Sequence, residues 1–153
     1  MIRPKKIKFI KNHRGNLKNT EHKSVVFFPC ALPSFDFVSA TSCYLTSLHL
    51  EVAVKIIKKK LARKGILRLR IFPDKPFTSK SIGSRIGKGK GAVSCWKAKV
   101  KPGIVIFSVS GVPLAALLEA LLLVKDKIPC SLVLNSLKSS ATNLLLSITL
   151  LQW

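Results

Sequence analysis

The stretch AVSCWKAKVKPGIVIFSVSG, residues 92–111, predicts the sheet around which the rest of the chain is arranged. Two runs rich in valine, isoleucine and other strand-forming residues flank Pro102-Gly103, a pair that is typical of a tight turn. The sequence therefore predicts two strands joined as a hairpin. Lys97 and Lys99 share one face of the first strand, because successive side chains of a strand point to opposite sides.

A third strand is predicted upstream, at ILRLRIF, residues 66–72. Apolar and basic residues alternate there, so that one face enters the core and the other carries Arg68 and Arg70. The arginine face is available to phosphate groups. The two prolines of FPDKPFTSK, residues 72–80, then predict a break in the sheet.

A helix is predicted from Thr46, a residue that favours the N-cap position, to about Lys64, where Gly65 is a natural stop. Apolar residues at intervals of four, three and four give the helix an inward face. Its last turns carry a basic ridge without acids, and like charges four residues apart repel each other. A solvated ridge is the simplest interpretation, and contact with a polyanion is the alternative. The apolar positions are Leu50, Val54, Ile57 and Leu61, and the basic positions are Lys55, Lys58, Lys59, Lys60, Arg63 and Lys64.

The remaining elements predict the fold class. Residues 25–28 predict a short strand, which is followed by an irregular segment that contains prolines. Pro113 suits the first turn of a second helix over about residues 113–127, and CSLVL, residues 130–134, predicts a closing strand. The order arm, strand, helix, three strands, helix, strand predicts an α+β fold. We expect a two-layer sandwich, with a mixed or antiparallel sheet that carries two helices on one face.

Charge divides the chain into a basic front, residues 1–101, and a nearly neutral, leucine-rich back, residues 102–153. Lysine and arginine number 27 against six acids, for a net charge of +21, and 24 of the 27 lie in residues 1–101. Such an imbalance requires an anionic partner, most commonly nucleic acid and next an anionic membrane surface. We expect residues 1–23 to form a basic RNA-binding arm that is ordered only on its partner. Residues 24–135 form the folded domain, and residues 136–153 are an extension of unassigned role.

The loop SRIGKGKG, residues 84–91, looks at first like a nucleotide site, but its spacing argues against one. A phosphate-binding P-loop needs G-x-x-x-x-G-K followed by serine or threonine, whereas here one spacer residue and the hydroxyl are missing. A dinucleotide fingerprint would be followed by a helix, and a strand is predicted instead. Exposed backbone next to cations predicts a loop that contacts a phosphate backbone. The glycines are Gly87, Gly89 and Gly91, and the cations are Arg85, Lys88 and Lys90.

The sequence predicts no metal site, no cofactor and no small-molecule substrate. The four cysteines form no C-x-x-C pair, and the three histidines have no acid at a catalytic spacing. We expect reduced thiols that pack as small apolar groups. The longest apolar runs, VPLAALLEALLLV and LLLSITLLQW, are too short to cross a bilayer core of about 30 Å, so no membrane span is expected.

Several blocks of the chain, taken in order and spacing, resemble the universal large-subunit ribosomal protein L-sixteen family. The blocks are IRPKKIKFIKNHRG (2–15), RIFPDKP (70–76), SRIGKGKGAVSCW (84–96) and VKPGIVIFSVSGVP (100–113). The resemblance covers about residues 1–135. It weakens over residues 24–44, where phenylalanine, proline, serine and cysteine replace a glycine-containing basic segment, and after Asn135. Such drift resembles an organellar member, with the mitochondrion preferred over the plastid or a bacterial cytoplasm.

The resemblance implies a structural protein of the large ribosomal subunit and not an enzyme. Family members bind large-subunit rRNA near the peptidyl-transferase centre and contact tRNA in the A site, with P-site tRNA as a further expected contact. Neighbouring ribosomal proteins are expected partners, the loop would point toward that centre, and Arg85 matches an arginine that is hydroxylated in some bacterial members. A cationic peripheral membrane protein is the alternative, and a nucleotide-dependent enzyme is the third. The expected RNA-binding residues are Arg3, Lys5, Lys6, Lys8, Lys11, Arg14, Arg68, Arg70, Lys75, Arg85, Gly87, Lys88, Gly89, Lys90 and Gly91.

Overall fold

The computed structural model describes residues 2–8, 10–17, 34–62, 64–85, 87 and 89–137. The strand predicted at residues 25–28 and the extension from residue 138 onward lie outside these residues. The elements in chain order are β1 (Ser34–Ser39), β2 (Cys43–Thr46), α1 (Ser47–Lys60), β3 (Ile66–Leu69), β4 (Lys75–Ser79), β5 (Ala92–Val100), β6 (Val105–Ser110), α2 (Leu114–Lys125) and β7 (Leu132–Leu137).

The strands of the described part form two antiparallel sheets. Sheet A has the strand order β3-β6-β1-β7, and sheet B has the order β2-β5-β4. All strand pairs are antiparallel. The structure therefore confirms the α+β sandwich, and it divides between two sheets the strands that the sequence assigned to one.

The predicted hairpin between β5 and β6 is wrong. β5 pairs with β2 and β4 in sheet B, whereas β6 pairs with β1 and β3 in sheet A. The turn at Pro102 and Gly103 exists, but its backbone bonds to the end of β1. Gly103 N–H donates to the Ser39 carbonyl at 2.7 Å, and Ser39 N–H donates to the Ile104 carbonyl at 2.9 Å. The turn therefore carries the chain from one sheet to the other.

Two other corrections concern segments that contain proline. The segment expected to be irregular contains β1 and β2, and the segment expected to break the sheet contains β4. β4 is an edge strand of sheet B, where the N–H that Pro76 lacks is not needed for pairing on both sides.

β3 is shorter than expected and ends at Leu69, although Arg70 N–H still donates to the Ile106 carbonyl at 3.0 Å.

The helices begin where the sequence predicts. The Thr46 hydroxyl accepts from His49 N–H at 3.2 Å, and His49 Nδ1 accepts from Thr46 N–H at 3.4 Å, so that a reciprocal capping box starts α1. α1 ends at Lys60, four residues before the expected end, and Ala62 adopts a left-handed backbone with φ 48°. Pro113 is the N-cap of α2 and does not lie in its first turn.

Neither helix of the described part is long and apolar enough to cross a membrane.

One continuous core joins both sheets and both helices. Phe37 of β1 and Phe107 of β6 lie at its centre, fully buried, with ring centroids 6.3 Å apart in an edge-to-face arrangement. The predicted inward face of α1 enters this core at Leu50, Val54, Ile57 and Leu61. Cys43 and Cys130 are free thiols within it, as expected for cysteines that pack as small apolar groups.

Candidate nucleic-acid interface

The basic arm lies against the folded domain at both of its described ends. Ile2 N–H donates to the Glu51 carboxylate on α1 at 2.7 Å, and the Lys99 ammonium on β5 donates to the Asn16 carbonyl at 3.0 Å. The described part of the arm thus contacts the folded domain, and its expected ordering on a partner stays a prediction. The arm uses a backbone donor at Ile2 and a backbone acceptor at Asn16, and such backbone contacts leave no pattern in a sequence.

The first half of the arm presents its basic side chains to solvent. Arg3, Lys5, Lys6 and Lys8 are exposed, as expected for residues that neutralise phosphates. No acid interrupts them in the sequence. This part of the arm therefore provides a cluster of positive charge beside the N-terminal half of α1.

The loop at residues 80–91 is the tip of a hairpin formed by β4 and β5. Ser79 pairs with Ala92 at its base, and the chain passes so close there that a Cβ on Gly91 would lie 2.3 Å from the Ser79 carbonyl oxygen. Toward the tip, Gly87 and Gly89 adopt positive φ angles of 101° and 76° in open space. The Lys80 ammonium donates to the Gly87 carbonyl at 2.7 Å. With Gly83, which has φ 81°, the loop therefore depends on glycine at four of its positions.

The cations of this loop differ in their surroundings. Arg85 is exposed, so that its guanidinium can reach a ligand outside the protein. Lys88 lies outside the described residues. Lys90 is exposed but is turned toward the arm, where its ammonium donates to the Asn12 carbonyl. Among the described cations of the loop, Lys90 therefore bonds to the arm and Lys80 bonds within the loop, whereas Arg85 is exposed to solvent.

Reciprocal hydrogen bonds fasten the loop to the arm. Lys90 donates to the Asn12 carbonyl, and the Lys11 ammonium donates to the Lys90 carbonyl at 3.1 Å. Both lysines were predicted as phosphate ligands, and the structure adds a second role, which is to hold two separate segments together. Because the two residues are 79 positions apart, no local sequence signal indicates this contact.

An aromatic pair on sheet B supports the middle of the arm, and sequence reasoning missed it. Tyr44 of β2 and Phe77 of β4 are in edge-to-face contact, with ring centroids 4.9 Å apart. The Arg14 guanidinium carbon lies 5.2 Å from the Phe77 centroid and 6.0 Å from that of Tyr44. The Lys97 ammonium lies 4.5 Å from the Phe77 centroid. Two cations are therefore placed on one aromatic ring by cation–π contacts.

A pocket of about 300 Å³ lies between the arm and this face of sheet B. The expected common face of Lys97 and Lys99 is confirmed, since Ala98 between them is buried in the core. The pocket gathers two of the predicted RNA-binding residues, Arg14 and Lys75, with residues that the sequence did not single out. Its lining consists of Asn12, His13, Arg14, Tyr44, Lys75, Pro76, Phe77 and Lys99.

Arg68 and Arg70 belong to sheet A and not to this surface. Arg68 is exposed in a cross-strand row with Ser108 and Asp36. The Arg70 Nε donates to the Ser108 hydroxyl at 2.8 Å. Burial raises the pKa of Asp36, and the Ser108 hydrogen bond and the Arg70 charge oppose this rise. Arg70 therefore has an internal structural role, which its alternating pattern in the sequence could not reveal.

The basic ridge of α1 lines a separate groove. Lys55, Lys58, Lys59 and Lys64 surround a space of about 880 Å³ between the end of α1 and the start of β3. Lys60 instead pairs with Glu119 of α2 at 2.8 Å, and both side chains are exposed. This exposed pair contributes little to stability, but it shows that one ridge lysine faces the second helix and not the groove.

Comparison with known proteins assigns the family. The sequence profile described as ribosomal protein L16p/L10e matches residues 4–134. Large ribosomal subunit protein uL16 of Flavobacterium psychrophilum is 39% identical over 130 residues, which are 85% of this chain and 92% of that protein. Large ribosomal subunit protein uL16c of Porphyra purpurea is 37% identical over 144 residues, 91% of this chain and 100% of that protein. The uL16c protein of Euglena longa is 42% identical over 113 residues, 74% and 81% of the two chains.

The matched region contains the arm from Pro4, both helices and the loop at 80–91, so the likeness covers the candidate interface except Arg3. The resemblance of the sequence blocks is confirmed by this profile, which covers three of the four in full and the first from Pro4. The chain therefore belongs to the ribosomal protein L16p/L10e family, and it is a ribosomal protein and not an enzyme.

Proposed function

We propose that this chain is an rRNA-binding structural constituent of the large ribosomal subunit. The observation that carries the proposal is the joining of the arm, the loop at 80–91 and the outer face of sheet B into one basic surface. The Lys11, Lys90 and Lys99 hydrogen bonds make that junction. The family and the names of the relatives, which are large-subunit proteins, support the same assignment.

The character of this surface suits structured RNA. Structured RNA is recognised mostly through shape, phosphates and 2′-hydroxyls, and phosphate contacts position a protein without a deep pocket. The arm and the loop present cations over an extended area, and two described acids beside them have partners: Glu51 accepts from Ile2 N–H, and Asp74 is paired with Lys75 at 3.4 Å. Neighbouring ribosomal proteins are the expected further partners.

Loss of arm charge should lower the salt dependence of rRNA binding. We expect the double variant Lys5→Ala/Lys6→Ala to reduce the slope of log affinity against log salt by about 1.4 to 1.8, since each phosphate contact contributes roughly 0.7 to 0.9. Filter-binding titrations with transcribed large-subunit rRNA at several salt concentrations measure the slope. Both lysines are exposed, so folding should be unchanged.

The matched control is Lys125→Ala/Lys127→Ala, which removes the same charge at the exposed end of α2. This control should leave the slope at its wild-type value. A wild-type protein whose RNA affinity does not change with salt would contradict the proposal. Equal slopes for the two double variants would exclude the arm as the RNA contact, and binding to anionic liposomes in place of RNA would favour the membrane alternative.

We propose in addition that the tip of the loop contacts tRNA in the A site, with P-site tRNA as a further contact. The support is the exposed position of Arg85 at the end of a hairpin, where its planar guanidinium can bind phosphate or stack on a base. The family resemblance also implies a contact between this loop and tRNA. The glycines around Arg85 leave the backbone open to close approach by RNA.

Arg85→Ala should weaken A-site tRNA binding about tenfold, because a hydrogen bond to a charged group contributes roughly 1.5–3 kcal/mol. Ribosomes that carry the variant are assayed by tRNA binding and by the rate of peptide synthesis. Thermal unfolding of the isolated protein should be unchanged, since the side chain is exposed on a loop. A lower melting temperature together with normal tRNA binding would show that Arg85 serves the fold instead.

We propose a mitochondrial ribosome as the location. The support is the departure of residues 24–44 from the family pattern, together with the free cysteines. Mass spectrometry of ribosomes purified from isolated mitochondria should recover the chain. Recovery only from plastid or cytoplasmic ribosomes would overturn this placement.

A further inference from the structure

We propose that the pocket between the arm and sheet B binds a single unpaired nucleotide of RNA, with its base stacked on the Arg14 guanidinium and its phosphate near Lys75 and Lys99. The proposal rests on the proposed rRNA binding and specifies how one part of the surface recognises RNA. It concerns residues that lie away from the tip of the loop at 80–91.

The size and position of the pocket suit one small ligand. Its volume of about 300 Å³ lies at the lower end of ligand pockets, which span roughly 300–1,000 Å³. The arm forms one wall through Asn12, His13 and Arg14, and sheet B forms the other through Tyr44 and Phe77. An RNA helix is too wide to enter, whereas a base that is turned out of a helix fits such a slot.

Arg14 provides the stacking surface. Its guanidinium carbon lies 5.2 Å from the Phe77 centroid and 6.0 Å from the Tyr44 centroid, so the two rings support it. Arg14 is nonetheless exposed, which leaves it accessible to a ligand. Unpaired RNA bases stack on aromatic rings and on arginine planes. A base on Arg14 would therefore continue the stack that begins with Phe77.

The backbone around Arg14 is already held in place. Lys99 donates to the Asn16 carbonyl at 3.0 Å, and the Tyr44 hydroxyl lies 3.5 Å from the Arg14 carbonyl oxygen. Lys90 secures the Asn12 carbonyl on the other side. Because the arm is fixed on both sides of Arg14, a ligand that binds there meets a site with a lower ordering cost.

The side chains around the pocket are positively charged and favour an anionic ligand. Arg14 and Lys97 share the Phe77 ring, and no carboxylate within the described residues forms an ion pair with either of them. Two like charges beside one ring repel each other, and a bound phosphate would offset that repulsion. Lys75 is paired with the exposed Asp74, and an exposed ion pair of this kind contributes little to stability.

The chain offers a specific reporter for this pocket, because Tyr44 is its single tyrosine. Protein labelled with 3-fluorotyrosine therefore gives one ¹⁹F resonance, located in the pocket wall. The probes are two RNA hairpins with the same stem, one with a single-nucleotide bulge and one without. We expect the bulged hairpin to shift the resonance and to bind about tenfold more tightly than the hairpin without the bulge.

Two variants separate stacking from charge. Arg14→Lys keeps the positive charge but removes the planar surface, and Phe77→Leu removes the ring below it. Each should reduce affinity for the bulged hairpin by up to about tenfold, to the level of the hairpin without the bulge, and leave the other hairpin unaffected; a base–aromatic stack contributes about 1–3 kcal/mol. Phe72→Leu is the matched control, since Phe72 is half exposed and does not line the pocket. If Phe77→Leu does not fold, Arg14→Lys alone tests whether a base stacks in the pocket.

Equal affinities and equal ¹⁹F shifts for the two hairpins would overturn the proposal while leaving rRNA binding intact. The proposal would also be overturned if excess mononucleotide failed to reverse the ¹⁹F shift and Arg14→Lys bound the bulged hairpin with full affinity. Failure of both hairpins to bind at low salt would instead contradict the proposed rRNA function itself. Tighter binding of the bulged hairpin that Arg14→Lys abolishes supports the single-nucleotide site.

Discussion

Phe107→Ala is expected to lower the free energy of unfolding by about 3–5 kcal/mol, the usual cost of truncating a buried phenylalanine. Phe107 is fully buried on β6, which pairs with a strand on each side in sheet A. Its ring contacts Phe37 edge to face, and truncation would remove this contact and leave a cavity at the centre of the core. A loss of this size is a large part of the 5–15 kcal/mol that stabilises a typical domain.

Urea unfolding followed by circular dichroism measures this loss. Phe72→Ala is the control, because Phe72 is 50% exposed and its truncation opens no central cavity. The control should change the free energy of unfolding by less than about 1 kcal/mol, as is usual for surface positions. Similar values for the two variants would mean that sheet A does not surround Phe107 as described.

Gly65→Ala is expected to destabilise the protein by about 2–5 kcal/mol. Gly65 joins α1 to β3 with φ 78°, and a Cβ there would lie 2.3 Å from the Val112 Cγ2 and 2.6 Å from the Ser110 carbonyl oxygen. The left-handed backbone costs alanine about 1–2 kcal/mol, and inserting a methyl group into a packed site costs about 1–3 kcal/mol more. Because one contact is backbone of β6, the clash cannot be relieved by a side-chain rotation alone.

The loop offers a matched control for the clash. Gly83 has a similar φ of 81°, but a Cβ there would meet nothing within 4 Å. Gly83→Ala should therefore show only the backbone cost, and the difference in urea midpoint between the two variants measures the steric part. If both variants are destabilised equally, the packing of Gly65 against β6 is not tight.

Local chemistry explains what could be predicted from the sequence. The N-cap of α1 was identified at Thr46 because capping depends on residues within one turn. The inward face of the same helix followed from its period, and the exposure of Arg85 followed from the density of glycine around it. Each of these features is decided by neighbours in the chain. The family could be inferred for a related reason, since its motifs are short and keep their order.

Features that depend on distant partners were predicted poorly. β4 was missed because a proline is acceptable at the edge of a sheet, and the sequence does not reveal which strand is an edge. The Tyr44 and Phe77 pair was missed since the two residues lie on different strands, with β5 between them. Lys11 and Lys90 were predicted as ligands, and their hydrogen bonds across the arm and the loop emerge only once both segments are placed.

The sequence by itself determined an α+β protein with a basic front and a glycine-rich loop, and it predicted a polyanionic partner. These properties follow from composition, from the alternation of apolar and basic residues and from the helical period, all of which are local features of the sequence. The tertiary structure alone decided that β5 and β6 enter different sheets, and that the arm, the loop and sheet B form one surface. The physical reason is that strand pairing and backbone hydrogen bonds join residues that are far apart in sequence. Any strand of suitable pattern can satisfy such a bond, so only packing selects the partner.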